Sequence, residues 1–184
     1  MANGGFFEES PYGSTVYGGD GSGSSETPTT ASVSLVAALG VIGTKYSWHS
    51  DIAYQGYSNG KGQCYGCLKF TLPSDAKSIV SASLTLHRKS NTGKGAEVDI
   101  FLYGSATAWG SKPTLSTKYN TSLDAVLAGR STVLDVLAAA QALLAGTITQ
   151  FVLYTGETTT LSGQVYSSNY CAWDEAVLSI TYTT

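Results

Sequence analysis

The chain has 184 residues, enough for one domain with a sizeable core, and 42% of them are hydrophobic. Only 12% are charged and the net charge is -3, so with no basic cluster longer than His87-Arg88-Lys89 the chain lacks the stripe that would neutralise nucleic-acid phosphates or dock on anionic membrane. No apolar run reaches the roughly 18 residues of a membrane-spanning helix.

The first segment, 1–17, is rich in glycine and carries Phe6, Phe7, Tyr12 and Tyr17. It opens without a basic region or apolar stretch and is not read as a signal peptide, so the expected product stays in a cytosol or leaves by lysis. Aromatic rings in such a stretch have no local core to fill, and the expectation is an arm that folds onto a partner. Burying these four rings at ~150–250 Å² each and ~25 cal/mol/Å² yields roughly 15–25 kcal/mol gross. Ordering about 15 residues costs the same order. One arm alone is therefore marginal, and several copies in an assembly make it firm. Residues 18–32, beginning GGDGSGSSETPTT, read as a flexible linker.

Residues 33–184 read as the folded domain, with strand signals at short spacing. KYSWH at 45–49 alternates, and CYGCLKFTL at 64–72 is stopped by Pro73. IVSASLTLHR at 79–88 sets Val80, Ala82, Leu84 and Leu86 on one face and Ser81, Ser83, Thr85 and His87 on the other. AEVDIFLYG at 96–104, ITQFVLYTG at 148–156 and AVLSITYTT at 176–184 complete the set, with turns at 58–62, 91–95 and 161–164. Regular short strands of this kind predict an antiparallel β-sandwich of jelly-roll type. One helix is predicted over 136–145, with Asp135 as its cap and Gly146 beyond its end, buried because it is apolar nearly all round. A second helical turn is predicted over 122–129.

Little in the chain points to catalysis. Asp174 and Glu175 are adjacent, so in a strand they face opposite sides and make poor partners for glycoside hydrolysis. His49 with Asp51 at i+2, and His87 on a polar face, come with no nucleophile elbow. Cys64 and Cys67 with distant Cys171 do not complete a zinc set, and the preferred reading puts Cys64 inside and Cys67 outside, or the reverse, as unbonded thiols. Asp51, Asp99, Asp124 and Asp174 are scattered, so no cofactor is expected, with structural calcium as the one metal considered. Trp48, Tyr54, Tyr57, Trp109, Tyr166, Tyr170 and Trp173 fall near loops or strand ends and are candidates for stacking on sugar rings or for a protein interface.

Several segments together resemble a known family. Leu68-Lys69-Phe70-Thr71-Leu72, Ala82-Ser83-Leu84-Thr85-Leu86, Trp109, the stretch Asp135 to Gly146, and Leu178-Ser179-Ile180-Thr181-Tyr182 follow the order of motifs in the DNRLRE, or disaggregatase-related, β-sandwich. The chain departs from that pattern at Thr71, where the family has Asp, and in its Ala-rich segment after Asp135. The resemblance spans about residues 60–184. It implies a jelly-roll like that of carbohydrate-binding modules, a fold recurring in polysaccharide enzymes, surface proteins and phage virions, and it supplies no catalytic residues. The resulting expectation is a non-enzymatic virion protein, present in multiple copies. The arm would hold it to capsid, collar or tail, and the sandwich would be displayed outward, in contact with surface glycans. A stand-alone carbohydrate-binding module of a secreted polysaccharide-active system is the alternative.

Overall fold

The computed structural model describes residues 27–42, 49–50, 52–58, 62–90, 101–120, 128–154, 160–161, 164–165 and 169–184. The strands are β1 Thr29–Ile42, β2 His49–Ser50, β3 Ala53–Ser58, β4 Gly62–Phe70, β5 Ser78–Arg88, β6 Leu102–Ser105, β7 Lys118–Asn120 and β8 Ser131–Asp135. Helix α1, Leu137–Leu144, follows, and then β9 Gln150–Leu153, β10 Thr160–Leu161, β11 Gln164–Val165 and β12 Asn169–Thr183. The architecture is antiparallel β with one helix among the described residues, as the alternation predicts.

Ten of the described strands form one curled sheet, and β10 and β11 make a separate small hairpin. The curl comes from two long strands that change partners. The start of β1 pairs with β12, from Thr29 opposite Tyr182 to Ser34 opposite Val177. After an irregularity between Leu35 and Ala37, the rest of β1 pairs with β4. Likewise the start of β12 pairs with β3, while the remainder pairs with β5. One flank of the curl is therefore β8–β5–β12–β1 and the other is β1–β4–β9–β6–β7. The sequence reading assigned no strand to 31–42 or to 53–58, and β1 also takes in Thr29–Ser32 from the segment read as linker.

The main core lies inside the curl. Ala82, Leu84 and Leu86 from β5 meet Leu178 and Ile180 from β12, Leu68 and Phe70 from β4, and Phe151 and Leu153 from β9. The Phe70 and Phe151 rings lie 5.6 Å apart at 54°. The expected inward position of Val80 is not realised, since Val80 is 50% exposed and Ile79 is buried instead. The register explains it: Ile79 faces Tyr182 and Ser81 faces Thr181, so Val80 is the extra residue of a bulge and turns outward.

Helix α1 is held at both ends and in the middle. The cap position is Val136 rather than the expected Asp135 and carries no capping side chain, but the Leu137 amide still donates to Asp135 Oδ1 at 3.1 Å, and Gly146 follows the helix at φ 71°. Gln141 Nε2 donates to the Ile79 carbonyl at 3.0 Å, which ties the helix to β5. The helix is less sunken than its composition suggests. Only Ala139 and Ala140 are fully buried in it, because it lies against one edge of the core and leaves Ala138 and Gln141 exposed. The turn predicted over 122–129 falls mainly outside the described residues.

A second correction concerns the cysteines. Cys64 and Cys67 are both buried, and neither is in a disulfide. Of the two, Cys67 is the one on the outer face, and it is covered because that face of the sheet carries a second small core: Cys67 and Val152 beneath Tyr65, Tyr103, Trp109 and Leu115. Burial pushes the Cys67 thiol up to about 12, so it stays protonated and unreactive at ordinary pH. Strand β9 is thus buried on both faces, Phe151 and Leu153 toward the main core and Val152 toward the second.

Gly104 in β6 is a point of close approach. A Cβ there would lie 2.6 Å from Ile148 Cγ2 and 2.8 Å from Tyr119 Cε2. Gly104→Ala should destabilise the fold by about 1–3 kcal/mol through overpacking. Denaturant unfolding measures this, and an unchanged midpoint would contradict the packing described.

Candidate binding groove

The second core gives the outer face of the sheet its character. Along β4, Gly66, Leu68 and Phe70 point into the curl while Tyr65, Cys67 and Lys69 point out, as the two-residue period requires. The same alternation brings Val152 from β9 and Tyr103 from β6 onto this face, with Tyr154 just past the end of β9. The Tyr65 and Tyr154 rings stack at 4.9 Å and 13°. Tyr103 meets Tyr154 edge-on at 5.9 Å and 74°. Gln63 Nε2 donates to the Tyr154 hydroxyl at 3.4 Å. The three tyrosines therefore form one fixed aromatic patch.

A loop over 106–117 walls the patch, and its backbone is well braced. The Thr107 amide donates to Ser105 Oγ at 3.1 Å, and the Thr114 amide donates to Thr107 Oγ1 at 3.0 Å. Gln150 Nε2 donates to the Thr107 carbonyl at 2.8 Å, and Ser116 Oγ donates to the Gly104 carbonyl at 2.8 Å. Gly110 makes the turn at φ 93°, a conformation that favours glycine. Between loop and sheet lies a groove of about 580 Å³, lined by Tyr65, Tyr103, Tyr154, Lys112, Thr114 and Ser116 among others.

Three lysines sit over rings of this flank. Lys69 Nζ is 5.9 Å from the Trp109 centroid, Lys112 Nζ is 5.5 Å from Tyr65, and Lys118 Nζ is 4.0 Å from Phe101. The carboxylates among the described residues, Asp75, Asp135, Asp174 and Glu175, belong to the other flank or its turns. A second groove, about 640 Å³, crosses the Ser/Thr face of β5 and β12, but no aromatic ring lines it.

The candidates named from sequence are only partly brought together. Trp109 is half-buried on the second core, on the groove's face. Trp173 is 1% exposed, and its Nε1 donates to Gln55 Oε1 at 3.1 Å in the main core. It therefore presents no ring to a ligand, because its position on β12 faces inward. Tyr54 is half-buried in β3. Tyr57 and Tyr170 lie in β3 and β12, one step apart in register, but their side chains fall outside the described residues. So do Trp48, Tyr166, Phe6, Phe7, Tyr12 and Tyr17, the His49 side chain, and Asp51, Asp99 and Asp124 of the calcium candidates. No group of three or more His, Cys, Asp or Glu side chains clusters as a metal set among the described residues. Tyr65, Tyr103, Tyr154 and Lys112 were missed. Their signal was the alternation itself, which marks the odd-numbered residues of β4 as outward.

His87 and Asp174 form the clearest ion pair, Nδ1 to Oδ1 at 2.7 Å, linking β5 to β12. The hydrogen bond to Asp174 is the main reason the His87 pKa is raised. A raised folded-state pKa means the stabilisation is fully present below the unfolded value of about 6.5 and is lost as pH rises through the folded value. Melting temperature should therefore fall as pH is raised from about 6 to 8, and Asp174→Asn should flatten that dependence. An equal slope in the variant would remove His87 as its source. Comparison with protein-family models finds no match to this chain, and comparison with curated proteins finds none either.

Proposed function

We propose that the chain is a non-enzymatic virion module of a phage, held in the particle by its N-terminal arm and displaying the curled β-domain outward to contact surface glycans. The observation that carries the glycan reading is the groove over the Tyr65–Tyr154 stack. Sugar rings present flat C–H faces to aromatic rings and hydroxyls to nearby donors and acceptors. This groove offers both, with rings fixed by the sheet and Thr114, Ser116 and Lys112 at its rim. Its rings are held by packing, so little is spent on ordering them when a ligand arrives. The lysines favour glycans that carry negative charge.

The virion part of the reading rests on the aromatic residues of 1–17, the Gly/Ser/Thr tract after them, and the resemblance to the DNRLRE-type sandwich. Many copies on one particle would also turn a weak groove into firm attachment.

Two experiments test the two halves. On a glycan array, Tyr65→Ala and Tyr103→Ala should each lower binding about tenfold, the size of a loss of about 1.4 kcal/mol, with the fold intact by circular dichroism. Unchanged binding in both variants would remove the groove as the site. For attachment, the Phe6→Ala/Phe7→Ala double variant should lose particle occupancy by several orders of magnitude in affinity, at about 3–5 kcal/mol per ring, while the melting temperature of the domain stays put. Wild-type occupancy would show that attachment lies elsewhere.

A further inference from the structure

The Tyr65 ring has two close neighbours. Tyr154 lies parallel to it at 4.9 Å, which fills one face. The Lys112 ammonium lies over the same ring, 5.5 Å from its centroid. A sugar that stacks where the ammonium lies over Tyr65 has to displace Lys112.

The surroundings make that displacement a matter of one side chain. The backbone beside Lys112 is pinned: Pro113 is buried, the Thr114 amide is bonded to Thr107, and the Ser111 amide donates to the Ala108 carbonyl at 3.2 Å. The Lys112 side chain itself is exposed and reaches the ring from solvent. A flexible cation on a fixed turn, covering a fixed ring, is an internal competitor for that ring. We propose that Lys112 is the specificity-determining residue of the groove: it occupies the Tyr65 platform in the free protein and penalises every ligand that cannot offer the ammonium a new partner. This rests on the reading of the groove as a glycan site. Neutral sugars must break the cation–ring contact without compensation, whereas a ligand with an acceptor group near the rim re-engages the lysine.

Three substitutions at one position separate this from a general role in packing or charge. Lys112→Ala uncovers the ring, Lys112→Met keeps an apolar chain over it, and Lys112→Arg keeps a cation over it. Against a neutral oligosaccharide, Lys112→Ala should bind about two- to fivefold tighter than wild type, the fold-change that corresponds to an exposed cation–π contact. Lys112→Arg should show no such gain, and Lys112→Met, which loses the cation but keeps a side chain over the ring, should gain less than Lys112→Ala. A second readout needs no ligand. In the full-length chain with ¹³C-labelled lysine, the Lys112 ε-methylene should be shifted upfield by the Tyr65 ring, and Tyr65→Leu should abolish the shift. An unshifted methylene in wild type overturns the proposal whatever the glycan results. A shifted methylene with weaker binding in Lys112→Ala also overturns it, since the lysine would then be a contact rather than a competitor. If the methylene is shifted but no glycan binds wild type or Lys112→Ala, the glycan reading fails and the proposal falls with it.

Discussion

The fold depends on the pairing of β12 with three different strands. Its 15 residues meet β3 at one end, β5 along most of one edge, and β1 along the other. It is the longest of the described strands, and the inward residues Ala176, Leu178, Ile180 and Tyr182 all lie on it. A slip of one residue would turn that set out to solvent and bring Val177 and Ser179 inside. The register is further held by the irregularity at Trp173 and Glu175, which sets Asp174 against His87 while Trp173 reaches Gln55. One strand thus fixes the curl, and the curl fixes which residues of β4 and β9 look outward.

From there the groove follows. An antiparallel sheet often has one dry face and one wet one. Here the outer face of β4, β9 and β6 is partly dried by aromatic rings, and the 106–117 loop lies across it. That arrangement removes Cys67 from solvent and leaves Tyr65 and Tyr103 half-buried at the groove. The stack, the lysines and the loop bracing are consequences of covering a face that a simple two-layer packing would leave bare.

The fold class was legible because apolar and polar residues alternate along 81–88 and 176–183 and other short strand-like runs recur between turns. What escaped was caused by local exceptions. The run ASVSLVAALGVI at 31–42 mixes small and apolar residues without clean alternation, so β1 gave no strand signal although it bridges both flanks. The bulge at Val80 cannot be read from β5 alone, since it depends on the opposing register. The candidate site was less legible still. Aromatics near loops were favoured over aromatics within strands, which selected Trp173, now in the core, and passed over Tyr65, Tyr103 and Tyr154. Whether an outward tyrosine stands in water or under a loop depends on contacts between β4 and residues about 50 positions later, as Lys112 over Tyr65 illustrates.

The pairing of β1 has a mechanical consequence. Its first residue, Thr29, sits opposite Tyr182, so the start of β1 and the end of β12 lie side by side. Tension applied between those two points would peel β1 from β12 one bond at a time, a weak geometry. Tension applied between residues before Thr29 and a ligand held on β4 runs differently. It pulls β1 lengthwise against β4, along the ladder from Leu35 opposite Phe70 to Ile42 opposite Cys64. All the bonds of that ladder then carry load at once, in shear. A molecule anchored before Thr29 and gripping through its groove would resist force along the direction in which its own strands are hardest to separate.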